Sequence, residues 1–320
     1  MIEIEAIRLS SLCDFNADYA SPLKNEASGR EYWRVGNKKE SFVLCYLDPD
    51  IGDHSDFINI SESLKSNDIK AVNIIHHNYE LGVTLQEDLG NDDLLTILND
   101  ANKEELLKKS IDLLVQIQNA DIKNIEEFKY SDLVNQMNLC KDVFLKDFLN
   151  IKIDSLIDYL ISLTIDKLKI HPWTNCHFDF ERRNLILNKH KTITAIDYQD
   201  MKKGPIGIDM AGLLIDHYYH PDQNNIKSLL KYYSNSLNWK NDIIFTEEEL
   251  FEFLRYGCLQ RNMRILGTLA NLYLLHGRSY RLKDLPMIFQ NLVSMIPEED
   301  IKENIVHKVQ PILLERISQI

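Results

Sequence analysis

The sequence predicts an α+β fold in two lobes, a small strand-rich one over residues 1–90 and a larger, mostly helical one over residues 91–320. Up to about residue 90, short apolar and aromatic runs alternate with turn residues, the pattern of half-buried strands. Beyond about residue 92, apolar residues recur every three to four positions over long windows, the period of an amphipathic helix. One stretch interrupts the helical part. CHFDFERRNLIL, residues 176–187, is followed by TAIDYQDMKKGPIGIDMAGLL, residues 194–214. Together they set an Asp, an Asn, two short apolar runs and a second Asp in a fixed order.

In the first lobe, residues 31–35 and 41–46 read as two strands around the turn Gly36-Asn37-Lys38-Lys39. Before them, Ala27-Ser28-Gly29-Arg30 is either an ordinary loop or a bend over a phosphate. Residues 56–65 predict a helix with Phe57, Ile60 and Leu64 on one face. Residues 73–77 and 82–87 predict two further strands, the second running into an acidic turn at Asp88-Leu89-Gly90-Asn91-Asp92. His76 and His77 are adjacent, so they point to opposite faces of a strand and make a poor joint ligand set.

In the second lobe, residues 102–119, 130–149 and 154–168 predict helices, and Pro172 ends the last of them. Leu185-Ile186-Leu187 and residues 193–196 are short strands around the turn Asn188-Lys189-His190-Lys191. This hairpin is expected to fix Asn184 near Asp197. Helices follow at 208–219, 224–236, 246–276, 282–295 and 300–318. Thr246 caps one of them, with Glu247, Glu248 and Glu249 in its first turn. No internal repeat or low-complexity segment stands out.

The chain's 320 residues, 44% of them hydrophobic, suffice for a substantial core. A formal net charge of −13 argues against nucleic acid or an anionic membrane as the main partner. A small-molecule substrate and a monomeric state are expected. The five cysteines, Cys13, Cys45, Cys140, Cys176 and Cys258, are scattered, which suggests neither a zinc site nor a disulfide framework. The first residues lack the basic start and apolar core of a signal peptide, and no run approaches the ~20 apolar residues of a membrane helix. A cytoplasmic location is the expectation.

The order Asp, Asn, strand, turn, strand, Asp suits phosphoryl transfer, in which one carboxylate meets the acceptor hydroxyl while an amide and a second carboxylate hold magnesium. Asp179 is the candidate base, and Asn184 and Asp197 are candidate magnesium ligands, hard oxygen donors as that ion prefers. Arg182 and Arg183 are candidates to meet the transferring group or an anionic substrate. His177, between apolar neighbours, reads as structural support. Asp209 reads as a helix cap or as a brace for the loop backbone. Gln199 and Asp200 are either turn residues or substrate contacts. HxDxxxxN arises often by chance; followed thirteen residues later by Asp within strand–turn–strand, it is far more specific.

These residues resemble the aminoglycoside phosphotransferase superfamily, relatives of the protein kinases. Within it, Asp197-Tyr198-Gln199-Asp200, Gly204-Pro205 and Ile208–Leu214 resemble the DFQDA, GP and YDLASLL pattern of the anomeric N-acetylmuramate/N-acetylglucosamine kinases. Ala27–Arg34 is similar to that group's ASFRRYFR, and Leu259–Gly267 to its QRNLKVLG. The resemblance implies a protein-kinase-like fold and transfer from ATP, with magnesium, to the anomeric hydroxyl of an N-acetylated amino sugar in cell-wall recycling. The acidic turn after a buried strand suits the hinge of a two-lobed nucleotide site, with the backbone of Glu87 and Leu89 against an adenine edge, and phosphate contacts are expected at Ser28 and at Arg30 or Arg34. Substrate contacts fall to Arg182, Gln199 and Asp200. In a kinase-like lobe a helix Glu pairs with a strand Lys; residues 42–46 hold no Lys, so Glu62 is expected to be a solvated helix residue, and Arg30 or Arg34 to meet the phosphates instead. Phe178 stands where an Arg often follows the loop His, Gly29 and Glu31 replace Phe and Arg, and Met201-Lys202 depart after Gln-Asp. These departures bear on sugar specificity, and leave an aminoglycoside, choline or another alcohol as alternative acceptor. The remaining alternative is a nucleotide-binding scaffold without catalysis, against which Asp179, Asn184 and Asp197 argue.

Overall fold

A computed structural model describes residues 1–23, 29–218, 223–236 and 245–320. The chain divides into two compact units that alternate along the sequence. The first takes residues 1–97, 120–124 and 183–201, the second residues 98–119, 125–182 and 202–320.

The first unit is built on a five-stranded antiparallel sheet in the order β1-β2-β3-β5-β4. Its strands are β1 (Tyr19–Pro22), β2 (Glu31–Gly36), β3 (Ser41–Tyr46), β4 (Ile74–Asn78) and β5 (Val83–Glu87). The β2–β3 register pairs Trp33 with Leu44 and Val35 with Phe42. Asn37 makes the turn, its side-chain oxygen accepting from the backbone N–H of Lys39 and of Glu40. β4 shows the alternation its two histidines required, with His76 partly buried and His77 exposed.

Helix α1 (Glu3–Leu12) and strand β1 were not legible as elements. β1 is four residues long and contains Pro22, which an edge strand tolerates because one side of its backbone needs no ladder donor. Tertiary packing makes both: Ala6 and Leu9 of α1, with Phe15 and Ala20, join Trp33, Val35, Leu44, Val83 and Leu85 in one buried cluster. Helix α2 (Ser55–Ser66) buries Phe57, Ile60 and Leu64 as its period predicts, and Glu62 is exposed. The short helix α3 (Leu94–Ile97) is opened by Asp93, whose carboxylate accepts from the Thr96 N–H at 2.8 Å.

The second unit holds α4 (Lys103–Asn119), α5 (Tyr130–Leu139), α6 (Asp154–Ile170), the strand pair β6 (Trp173–Cys176) and β9 (Lys202–Pro205), and helices α7 (Gly207–Leu214), α8 (Gln223–Ser236), α9 (Glu247–His276), α10 (Leu285–Ser294) and α11 (Glu299–Ser318). Strands β7 (Leu185–Leu187) and β8 (Ile193–Ala195) belong to the first unit. The single helix expected over 130–149 changes pitch at Cys140, and Cys140–Phe148 is π-helical. Cys140, Phe144 and Phe148, four residues apart, are all buried; that spacing also suits an α-helix, so the apolar pattern carries no mark of the wider turn.

Helix α9 is the axis of this unit. Thr246 and Glu249 form a reciprocal capping box at its start, and Gly277, at φ 66°, ends it. α7 crosses α9 at two glycines: a Cβ on Gly207 would lie 1.8 Å from the Phe253 carbonyl oxygen, and one on Gly257 2.1 Å from that of Gly207. That backbone approach fixes where α7 carries Asp209. Among the described residues no helix is long and apolar enough to cross a membrane.

His171, just after α6, is 6% exposed and packs on Phe253, with ring centroids 4.7 Å apart. Its Nδ1 has no hydrogen-bond partner among the described residues. Burial, with the Lys167 charge, pushes its pKa down from 6.5 to about 4. The unfolded chain therefore binds a proton between those values that the folded chain refuses, so stability falls as pH drops from 6.5 to about 4. The loss approaches roughly 3 kcal/mol at about 1.4 kcal/mol per pKa unit. Urea midpoints across this range are expected to fall less steeply in His171→Phe than in wild type; equal slopes would refute the assignment.

Candidate active site

The loop that follows β6 is built residue by residue in the second unit. Asp209, in the first turn of α7 and fully buried, accepts from the N–H of His177 at 2.6 Å and of Phe178 at 2.8 Å. Its reading as a brace for the loop is therefore the one realised. Burial pushes its carboxyl up to about 6, against the His177 charge and the two N–H donors, which favour the ionised form. His177 is itself buried, its ring edge-on to Phe180.

Phe178 adopts φ 66°, a region that bulky side chains rarely occupy. It is held there from both sides. Asp209 takes its N–H, and Arg264 of α9 donates to its carbonyl at 3.0 Å. The ring packs on Phe128 at 4.6 Å, over the space Gly204 leaves: a Cβ there would stand 2.7 Å from the Phe178 Cζ. The reversal at Phe178 turns out the side chain of Asp179, which is 44% exposed.

Arg264 also donates to Asp179 Oδ1 at 2.8 Å. Crowding by protein atoms raises the Asp179 carboxyl, but the Arg264 charge and hydrogen bond, with Arg261 and His177, outweigh it and hold the group well below the ordinary carboxylate range. Two buried ion pairs fix the chain beyond it. Glu181 pairs with Arg261 of α9, and Arg182 with Asp216 at 2.8 Å, all four side chains being at most 4% exposed. The guanidinium of Arg182 is thus committed inside the protein.

The other candidates lie in the first unit. β7 and β8 form the expected hairpin, pairing Leu185 with Ala195 and Leu187 with Ile193. Asn188 shapes its turn by accepting from the N–H of His190 and Thr192. The pairing continues as the Ile196 N–H donates to the Asn184 carbonyl at 2.9 Å, so Asn184 and Asp197 leave the same end of the hairpin. Asp197 has φ 64°. The Gln199 amide donates to Asp197 Oδ1 at 2.8 Å, and Gln199 is buried whereas Asp200 is exposed. Between them Tyr198 is buried and stacks on Phe57 of α2.

Asn184 and Asp197 offer one amide oxygen and one carboxylate, the hard donor set of a magnesium ion completed by phosphates and water. Among the described residues no three His, Cys, Asp or Glu side chains cluster to hold a metal unaided, and such a site requires none. The Asp197 charge reaches the sheet: Tyr32 is pushed well above its usual pKa, first by burial, then by Cys45 and Asp197. Cys45, on the strand that lacks a lysine, is pushed up to about 12 by burial. The Arg30 charge acts on both groups in the opposite sense.

Arg34 is engaged elsewhere. It donates to Asp88 at 2.7 and 3.0 Å, to Asn91 at 2.8 Å and to the Gly90 carbonyl at 3.2 Å, and so clamps the turn after β5. The Glu87 carboxylate pairs with Lys70 at 2.9 Å and its N–H is taken by the Asn73 carbonyl. Leu89 is half-buried in the same turn. Ser28 lies outside the described residues.

With this arrangement in place, comparison with known proteins is decisive for the family. The sequence model of the phosphotransferase enzyme family matches residues 20–237. The chain belongs to that family. This phosphotransferase is 24% identical over 287 residues to the N-acetylmuramate/N-acetylglucosamine kinase of Pseudomonas aeruginosa, a match spanning 86% of this chain and 83% of the relative. It is 23% identical to the protein of the same name from Neisseria meningitidis, across 87% and 85%. Choline kinase LicA of Streptococcus pneumoniae superposes with a TM-score of 0.66 at 13% identity, over 91% of this chain and 98% of that one. The predicted kinase-like α+β fold is therefore the observed one, and the phosphotransferase is a small-molecule kinase with an alcohol group as acceptor.

Three residues of the loop's support escaped the sequence reading as functional: Arg264, Arg261 and Asp216. No spacing rule links residue 264 to residue 179. The available signal was two cations one turn apart, Arg261 and Arg264, within the otherwise uncharged run LQRNMRILG.

Proposed function

We propose that this phosphotransferase moves the terminal phosphoryl group of ATP to the anomeric hydroxyl of an N-acetylated amino sugar, N-acetylmuramate or N-acetylglucosamine. The observation that carries this reading is the match, over more than four-fifths of the chain, to curated kinases of that name, while the residues the chemistry needs stand intact in the loop. The family and the kinase-like fold support nucleotide use.

In this reading Asp179 orients the acceptor hydroxyl and receives its proton as the phosphoryl group arrives. Asn184 and Asp197 would hold magnesium, which would supply positive charge to offset that of the nucleotide phosphates. Gln199, donating to Asp197, orients that ligand, and acceptor contact falls to the exposed Asp200. Arg182, paired with Asp216, anchors the loop rather than meeting the acceptor. Of the two candidate cations for the phosphates, Arg30 is favoured, because Arg34 is occupied by Asp88 and Asn91. Ser28 and the backbone of Glu87 and Leu89 remain the proposed nucleotide contacts.

The test is ADP release with N-acetylmuramate, N-acetylglucosamine, kanamycin or choline as sole acceptor. Turnover of the amino sugars, with phosphate released from the product by mild acid as anomeric phosphates are, is the expected result. Turnover of kanamycin or choline alone would overturn it. Bound nucleotide without turnover of any acceptor would favour a scaffold.

A further inference from the structure

Helix α9 presents two arginines one turn apart to the loop after β6, and each takes one of its carboxylates. Arg261 takes Glu181 in full burial. Arg264 takes Asp179, with 17% of its own side chain and 44% of the aspartate's exposed. The same Arg264 nitrogen holds the Phe178 carbonyl, so a single guanidinium grips both the reversed backbone and the side chain it turns out. Its Nε has no hydrogen-bond partner among the described residues. The arginine is therefore not placed there to saturate its own donors.

We propose that Arg264 is the positioning residue of the reaction: it aims Asp179 by gripping it together with the Phe178 carbonyl. The inference rests on the reading of Asp179 as the acceptor-side carboxylate, but its core can be measured without turnover.

The charges facing Asp179 decide the consequence. From α9 come Arg264 and Arg261; from the loop, His177 and Glu181; from α7, Asp209. Glu181 is neutralised by Arg261, and Asp209 opposes ionisation of its neighbour. Crowding is the largest single influence on Asp179 and it favours the protonated acid; the nearest cation reverses it. Removal of that cation takes away the largest charge that favours ionisation of Asp179. Asp179 then titrates higher.

Two measurements test this. In kcat/KM against pH, wild type is expected to be flat on the acid side down to the onset of unfolding. Arg264→Gln is expected to show a new acid limb, with kcat lowered at least about tenfold even on its plateau because the carboxylate is no longer aimed. Arg264→Lys restores the charge and is expected to remove the limb. The second measurement follows the carboxyl carbon of Asp179 by ¹³C NMR during a pH titration, assigned with Asp179→Asn, in wild type and Arg264→Gln. An upward move of its midpoint in Arg264→Gln supports the proposal whichever acceptor is right. An unmoved midpoint, or a loss of kcat in both variants with no change in profile shape, would overturn it and leave Arg264 a packing residue. If wild type turns over no acceptor yet the midpoint moves, the reading of substrate fails and the role of Arg264 stands.

Discussion

Asp179→Asn is expected to lower kcat by about 10²–10⁴-fold, the usual worth of a positioned proton acceptor, while nucleotide affinity and melting temperature stay close to wild type. The reasons lie in what surrounds the group. The loop backbone is held by Asp209 through two N–H donors and by Arg264 through the Phe178 carbonyl, none of which involves the Asp179 carboxylate. An amide at position 179 keeps the shape and an oxygen for Arg264, and the half-open side chain leaves water to complete its bonds. What it loses is the capacity to accept a proton. Pre-steady-state kinetics with the nucleotide held saturating separates this from a binding defect. A variant with kcat within about threefold of wild type would remove Asp179 from its role, since base catalysis contributes at least about a hundredfold.

Arg261→Met is expected to destabilise the protein by about 3–5 kcal/mol, because it strands the Glu181 carboxylate in the interior. Arg261 is fully buried and Glu181 almost so, and their ion pair ties α9 to the loop. Nε and Nη1 of Arg261 have no partner among the described residues, so the pair is held at some cost. That sets up a contrast. The double variant Glu181→Met with Arg261→Met removes both charges and is expected to recover most of the stability lost, as buried pairs replaced by apolar side chains commonly do. Urea denaturation of the three proteins decides it. A single variant weakened by under about 1 kcal/mol would show that Glu181 is neutralised by protonation or reached by water.

Much of this was legible because it is local. The β2–β3 hairpin declares itself through Gly36-Asn37, α2 through Phe57, Ile60 and Leu64, and α9 through Thr246 and Glu249, since turn chemistry, helical period and capping act within a few residues. The same holds for Asn184 and Asp197, which a hairpin of short strands brings to one end. Illegible were α1 and β1, made stable by burial against β2, β3 and β5, and the π-helical turn at Cys140, where packing sets the pitch. Arg264 was illegible for a related reason: eighty-five residues separate it from Asp179, and an ion pair over that distance follows from the path of α9, not from any pattern in the chain.

The sequence by itself pointed to the phosphotransferase class, because the Asp, the Asn and the second Asp that suggest it lie within one short stretch and its hairpin. The tertiary structure alone decided the state of those groups. Whether Asp209 caps a helix or braces a loop, whether Arg182 is open or buried, and whether Asp179 is ionised depend on which charges and which dry surfaces distant segments bring alongside, and electrostatic energy in a folded protein is set by distance and burial rather than by order in the chain.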